Sequence, residues 1–428
     1  MSAVPSGWKV ERLKDVARVN ANALPAGTDA DYEFDYLEIS NVNYNGVVST
    51  DAIEHLRFED APSRARRRVA SGSTVISSVR PNLQAVAFFA SAPKHLICST
   101  GFNVVEPQSN KLAPQFTYYH LLSENARQYF EAAATGVGYP AIGDKDFNAF
   151  TVTLPPLPEQ QRIATYLAAS CAAIDAAVSA KRRQLDTLEA LRMSIIQRAV
   201  TQGINPKVKL KSSGLDWVSE VPEHWKVQQI KRKCSLVRGQ FTHRPRNDPA
   251  LYDGPYPFVQ TGDITAADKY IRTYSQTLNE LGLSASKQFP RGTLVMSIAA
   301  NIGDVAILDF EACFPDSMIG MIPGHQAHLD FLYYLMRAMR PIMLRSAVQS
   351  TQLNLNYVRI GTNFAPFPPL EEQRVIAKYL DAKEAESSRI RATITAQIDT
   401  LIAYRKSLIH ECVTGQRRVT EADVAAIA

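Results

Sequence analysis

The sequence predicts an α+β fold built twice over, with two similar domains that are each followed by one long helix. Three observations predict it. Residues 154–167, LPPLPEQQRIATYL, return as residues 367–380, FPPLEEQRVIAKYL, displaced by 213 positions (367 − 154). After each copy, apolar residues step by three or four for roughly 40 residues with no Pro or Gly. Before each copy lie short apolar or alternating runs bounded by Gly, Pro, Asn and Asp, the pattern of strands.

The helices are the most legible elements. A Pro-Pro pair cannot continue a preceding helix, and Pro158 stands at a first turn, where a missing N–H costs nothing. Glu159 and Glu372 then favour the positive end of the helix dipole. In the first copy the seam runs through Ile163, Leu167, Ser170, Ile174, Ala177, Lys181, Leu185, Leu188, Leu191, Ile195 and Ala199. In the second it runs through Ile376, Leu380, Lys383, Ser387, Ile390, Ile394, Ile398, Leu401, Tyr404, Leu408 and Cys412. This heptad-like stripe is what two helices use to pack along each other, each roughly 60 Å long at 1.5 Å per residue. Ala168 stands where the second copy has Asp381, with no evident consequence for function.

The repeat extends through the whole half. Val4-Pro5-Ser6-Gly7-Trp8-Lys9-Val10 is echoed by Val221-Pro222-Glu223-His224-Trp225-Lys226-Val227. Residues 36–42 resemble 258–264, residues 72–77 resemble 292–297, and Phe116-Thr117-Tyr118-Tyr119 resembles Phe331-Leu332-Tyr333-Tyr334. The first two pairs read as strands and the last as the start of helices over 116–134 and 331–348, giving each domain a mostly antiparallel or mixed sheet. The boundaries follow: domain 1 over 1–153, long helix 154–204, linker and domain 2 over 205–366, long helix 367–416, and an Ala-rich tail, 417–428, expected to fray.

A chain of 428 residues exceeds a single core, and 46% hydrophobic with 21% charged residues describes a globular protein. The net charge of +5 permits nucleic acid as a partner without demanding it. Five widely spaced cysteines without a Cys-x-x-Cys pair point to neither a disulfide framework nor a zinc ribbon, which fits a reduced cytoplasm. The N-terminus lacks a signal peptide's apolar core, and no 18 uninterrupted apolar residues occur.

Catalytic machinery is not legible. Residues 138–144 approach a phosphate loop but place Asp144 where the lysine belongs. Pro315-Asp316 could begin a metal-dependent nuclease site, yet no lysine lies between Lys287 and Lys378 to complete it. His325 and His328 lack an obvious third ligand. No Gly-x-Ser-x-Gly elbow or glycine-rich cofactor fingerprint is present. The chain reads as a binder.

Basic and amide side chains collect in the loops. In the first domain these are Arg64, Arg66, Arg67, Arg68, Arg80, Asn82, Tyr139 and Lys145. In the second they are Arg238, Gln240, Thr242, His243, Arg244, Arg246, Asn301, Gln349, Ser350, Gln352, Asn354 and Asn356. Arginine pairs with guanine O6 and N7 while Asn and Gln match adenine N6 and N7, so the set suits major-groove readout. Arginine clusters also serve as solvated faces or phosphate contacts, which position a protein without specifying sequence.

The doubled Pro-Pro-Leu-x-Glu-Gln…Ile-Ala-x-Tyr-Leu helix, each copy preceded by a domain opening on Trp-Lys-Val, closely resembles the specificity subunit of type I restriction-modification enzymes. The resemblance spans nearly the full chain. It implies two target-recognition domains held apart by an antiparallel pair of conserved helices, each domain reading one half of a bipartite, asymmetric DNA target. It implies no catalysis and no cofactor in this chain. S-adenosylmethionine, ATP and Mg2+ would belong to partner methyltransferase and translocase-nuclease subunits, in the bacterial or archaeal cytoplasm. Arg182, Arg183, Arg192, Arg389, Arg391 and Arg405 become candidate subunit contacts on exposed helix faces, with plain solvated helix charges as the equal alternative. The alternatives are a self-contained methyltransferase or nuclease with an unrecognised site, and a coiled-coil adaptor.

Overall fold

The computed structural model describes residues 4–42, 48–299, 301–348 and 357–427. Two compact units emerge: Met1–Arg182 with Thr395–Ala428, and Arg183–Ile394. The sequence-based boundaries keep each long helix whole, whereas the compact units cut both. The reason is packing, because each half-helix buries its apolar stripe on the domain beside it.

In the first unit, Ala17–Val19, Phe102–Pro107, Ser73–Ser77 and Val86–Phe89 form an antiparallel sheet in that order. Ser73–Ser77 is buried along its whole length, which is why its two faces read as a continuous apolar and hydroxyl run. A second sheet, Glu54–Arg57, Glu33–Leu37, Leu96–Ser99 and Ala65–Arg68, pairs Glu33–Leu37 parallel with Leu96–Ser99. A two-stranded ladder joins Lys9–Arg12 to Thr151–Leu154. The helix expected over 116–134 is two helices, Pro114–Leu121 and Glu124–Ala133. Ser123 divides them, since its side chain accepts the Ala126 N–H and caps the second.

The second unit repeats this skeleton. Lys226–Gln229 pairs with Phe364–Phe367 as Lys9–Arg12 does with Thr151–Leu154. A five-stranded sheet runs Cys234–Arg238, Met318–Pro323, Leu294–Ser297, Val305–Leu308, Tyr270–Ile271. A four-stranded sheet runs Gln276–Leu278, Tyr252–Phe258, Ala312–Cys313, Gln288–Phe289. Leu329–Val348 is one continuous helix. The linker is more ordered than its Lys-Ser-Gly composition suggests: Leu210–Leu215 and Val218–Pro222 form a hairpin in which Val218 and Val221 are buried.

The long helices span Leu157–Gln202 and Leu370–Thr414. Each ends on a glycine with positive φ, Gly203 and Gly415, both at +77°. Both glycines also press on a tryptophan: a Cβ on Gly203 would stand 3.3 Å from Trp225, and one on Gly415 3.2 Å from Trp8. The echoed Trp-Lys-Val is therefore the seat for a helix end in each unit. In the second unit Ile196, Ala199 and Val200 of one helix share a core with Ile376, Ala377 and Leu380 of the other and with residues 331–339. One 18-residue window of the first helix reaches a mean hydropathy of 1.5. The helix's apolar residues Ile163, Leu167, Ile174 and Val178 are nevertheless buried, which makes it a core helix.

Within each unit the helices pair antiparallel. Arg192 meets Glu384 while Glu189, nearly one turn earlier, meets Arg391 at 3.2 Å, nearly two turns later on the partner helix. In the first unit Arg405 meets Asp175 at 3.0 Å. Two expectations change here. Arg192 and Arg405, expected on exposed faces, have side chains only 17% and 19% exposed. Leu191 and Tyr404, expected in the seam, are exposed, as is Ile390. The adjacent arginines take the seam position at Leu191 and Tyr404 because each finds a carboxylate on the facing helix.

Asp381 also has a structural partner. Its carboxylate accepts from Lys269 Nζ at 2.5 Å and from the Tyr334 hydroxyl at 2.6 Å, tying the second long helix to its domain. The tail is anchored by the burial of Val419, whose carbonyl accepts from Arg162 Nε at 2.8 Å, and by Arg417 over the Tyr166 ring.

Candidate nucleic-acid interface

In the first unit the site grows from the end of the buried strand Ser73–Ser77. Ser77 Oγ donates to the Val79 carbonyl at 2.8 Å and turns the chain outward. Arg80 and Gln84 follow at φ +49° and +51°, left-handed conformations that are uncommon outside glycine. The Arg80 N–H donates to the Pro140 carbonyl at 2.7 Å and the Ile142 N–H to Ser78 at 2.9 Å, which sews this turn to the loop 135–142. The Arg80 guanidinium lies 4.6 Å from the Tyr139 ring centroid and donates to the Gly138 carbonyl at 3.3 Å. Two residues distant in sequence thus make one exposed stack, the arrangement that presents a planar cation and an aromatic face together. Asn82 lies in the same turn, in the short helix Pro81–Leu83.

The arginine run 64–68 divides by strand alternation rather than acting as one patch. Arg64 is exposed and ion-paired with Glu38. Arg66 lies over Phe58 at 4.5 Å, and Arg68 over Tyr32 at 6.0 Å. Arg67 points inward, its side chain 15% exposed. It donates to the Phe102 carbonyl and to Asn103 Oδ1, and lies 3.8 Å from Asp144. Burial lowers its pKa from the usual arginine value, partly offset by Asp144. Its guanidinium is spent on the fold. The Arg64 carbonyl accepts from Thr100 N and the Gly101 carbonyl from Ser78 N, both at 2.8 Å, so the turn at 99–101 joins the arginine strand to the Arg80 turn. Lys145 is exposed on the helix Asp144–Ala149, beside the residue that Arg67 approaches.

In the second unit the basic cluster forms around Asp316. Arg238 Nε donates to the Asp316 carbonyl at 2.8 Å, and Arg246 reaches its carboxylate at 2.6 Å. The loop between them is fixed from within. Phe241 is buried, Ser286 Oγ donates to the Gln240 carbonyl at 2.8 Å, and Thr242 N donates to Ala285 at 3.0 Å. His243 pairs with Asp248 at 3.2 Å, and Arg244 caps the carbonyls of Phe241 and His243 at 2.8 and 2.7 Å. Arg238, Gln240, Thr242, Arg244 and Arg246 are exposed, and His243 is half-buried. Asn301 stands apart, bonded to Thr265 at 3.0 Å, in the turn equivalent to that of Arg80. Ser297 Oγ there donates to the Ala299 carbonyl at 2.6 Å just as Ser77 does to Val79. Gln349, Ser350, Gln352, Asn354 and Asn356 lie outside the described residues.

Asp316, weighed in the sequence as the opening of a nuclease site, serves as counter-ion to Arg246. His328 lies 3.9 Å from Asp330. Among the described residues no group of three or more His, Cys, Asp and Glu could hold a metal ion. Sequence reasoning missed Val137, the most exposed apolar residue of the 135–141 loop, and the signal for it was a glycine on either side.

The comparisons with known proteins agree with the doubled fold. The family model of the type I restriction modification DNA specificity domain matches twice, over residues 5–184 and 222–400. The MjaX specificity subunit assigned to a type I restriction enzyme of Methanocaldococcus jannaschii is 24% identical, covering 97% of this chain and 95% of that one. The HindI specificity subunit of Haemophilus influenzae is 19% identical over 77% and 82%. Among solved structures, a chain from a study of complex assembly and conformational transition in a type I restriction-modification system superposes with a TM-score of 0.79 at 21% identity, covering 97% and 100%. The HsdS subunit of Thermoanaerobacter tengcongensis does so with 0.55 at 21% identity, covering 97% and 98%. With both halves matched, this chain belongs to the type I restriction-modification DNA specificity family.

Proposed function

We propose that each unit reads one half of a bipartite, asymmetric DNA target, and that the long helices fix the unspecified spacer and dock methyltransferase subunits. As a member of its family the chain is a non-catalytic DNA-recognition subunit, and neither the self-contained enzyme nor the plain adaptor is favoured. One observation carries the bipartite reading: the same specificity domain occurs twice on one skeleton, with different side chains at its loops. Arg80 stacked on Tyr139 marks the first unit, and Arg238 and Arg246 around Asp316 mark the second. Two readers of one architecture and different chemistry address two different half-sites.

The partners under this reading are double-stranded DNA, modification subunits carrying S-adenosylmethionine chemistry, and ATP- and Mg2+-dependent restriction subunits, all in the cytoplasm. Exposed Arg182, Arg183 and Arg389, with the exposed apolar Leu191, Ile390 and Tyr404, supply the helix surface for those subunits. The test is methylation mapping in a cell expressing this chain with its cognate modification subunit, against the same cell without it. A new split motif with a fixed gap supports the reading, and the absence of any new motif overturns it.

A further inference from the structure

Val137 is fully exposed and Tyr139 is 73% exposed, the two on one loop. An apolar side chain held in water adds nothing to the fold, and a single one is ordinary on a protein surface; what sets Val137 apart is the frame that holds it.

The loop is built to hold that tip still. Thr135 and Ala141 exchange both backbone hydrogen bonds, each 2.9 Å, closing its base. Gly136 and Gly138 flank the valine at φ +114° and +85°, conformations that side chains rarely adopt. A Cβ on Gly136 would also stand 3.3 Å from the Tyr139 carbonyl. Behind the tip, Arg80 is sewn to Pro140 and stacked on Tyr139, in a left-handed backbone conformation that the surrounding bonds enforce. A rigid apolar point beside a stacked arginine matches a thymine in the major groove: its 5-methyl group takes the apolar contact, while its O4, or the O6 and N7 of a neighbouring guanine, accepts from the arginine. A protein partner would instead call for a broad apolar patch, and here the exposed apolar surface of the tip is one valine and a tyrosine ring already covered on one face by Arg80.

We propose that Val137 is a specificity-determining residue that packs on a thymine 5-methyl group in the half-site read by the first unit. The inference rests on the bipartite-recognition reading and deepens it by naming the base and the contact. The test is a double-mutant cycle on the complex with its modification subunit, crossing wild type and Val137→Ala with duplexes in which each thymine of that half-site is replaced singly by uracil. Losing the methyl group at one position weakens the wild-type complex roughly threefold to fivefold, the scale of one buried methyl group. The Val137→Ala complex binds thymine and uracil duplexes alike at that position, while thymines of the other half-site affect both complexes equally.

Uracil effects of the same size in both complexes overturn the proposal while leaving bipartite recognition standing. So does a half-site that contains no A·T pair. If Val137→Ala prevents assembly with the modification subunit and leaves DNA binding by the chain unchanged, the tip is a protein contact and the proposal falls. A complex without any sequence preference overturns the recognition reading itself, and the proposal with it.

Discussion

Gln160 and Gln373 stand 213 positions apart (373 − 160) and make the same three hydrogen bonds, each within its own unit. Gln160 Oε1 accepts from Ala113 N at 2.8 Å, and its Nε2 donates to the carbonyls of Lys111 at 3.0 Å and Pro155 at 2.9 Å. Gln373 Oε1 accepts from His328 N at 2.8 Å, and its Nε2 donates to Gln326 at 3.1 Å and Pro368 at 2.9 Å. Both side chains are buried, and both pin the start of a long helix to the loop before a domain helix. Replacing either by alanine strands three backbone groups and is expected to cost about 2–4 kcal/mol. Gln→Glu, which sets a carboxylate against two carbonyls, costs at least as much. Denaturant unfolding of the variants checks this, and a loss below about 0.5 kcal/mol contradicts it.

Arg192 and Glu384 pair across the helices, with Nε 2.8 and 2.9 Å from the two carboxylate oxygens. Burial alone pushes the Glu384 pKa up, but hydrogen bonds from Arg192 and the charge of Arg337 overcome it and hold the carboxylate below its ordinary range. Arg192→Met leaves a half-buried carboxylate short of a partner and is expected to destabilise the second unit by about 2–3 kcal/mol. Adding Glu384→Met restores most of that loss, because an apolar pair fits the seam. Additive losses in the double variant contradict the pairing.

His120 makes the first unit sensitive to acid. It is buried, and burial lowers its pKa to about 4. Its Nε2 accepts the Thr153 N–H at 3.1 Å, which holds the strand Thr151–Leu154 and requires the neutral ring. The unfolded chain takes up a proton near pH 6.5 while the folded chain resists to about 4, so stability falls as pH drops through that window. The expected loss is about 2 kcal/mol by pH 5 relative to neutrality. His120→Leu, with the residue type of the equivalent Leu335, flattens this slope even though it strands the Thr153 N–H. A pH profile unchanged by the substitution contradicts the assignment.

Asp316 masks positive charge on the second unit through the ion pair of its carboxylate with Arg246. Asp316→Asn is expected to tighten binding of the assembled complex to non-cognate duplexes at low salt and to steepen its salt dependence by about one phosphate equivalent. Arg246→Ala does the reverse. Anisotropy titrations from low to physiological salt distinguish the two, and equal slopes contradict the assignment of this cluster to a DNA-facing surface.

The doubled fold was legible because its signals are local and repeated: the Pro-Pro entry, the uninterrupted three-four stepping, and the echoed Trp-Lys-Val that seats each helix end. The break at Ser123 was missed because an apolar run such as Phe116–Leu122 hides a capping serine until the second helix is seen to start on it. The seam was misread at Leu191 and Tyr404 because hydrophobicity alone cannot show that a neighbouring arginine faces a carboxylate on the other helix. At the candidate site, composition found Arg80 and Tyr139, but only topology brings them to 4.6 Å. Composition equally included Arg67, which strand alternation turns inward. Whether a basic residue faces solvent or the fold is decided by tertiary placement, which a run of arginines does not encode.

Under the proposed function each unit reads its own half-site. The most direct measurement maps methylation by complexes carrying Arg80→Ala with Tyr139→Ala, or Arg238→Ala with Arg246→Ala, beside the wild type. The expected result is a split motif in which the first pair relaxes one half, the second pair relaxes the other, and the gap stays unchanged. A continuous motif, or either pair relaxing both halves together, would contradict it.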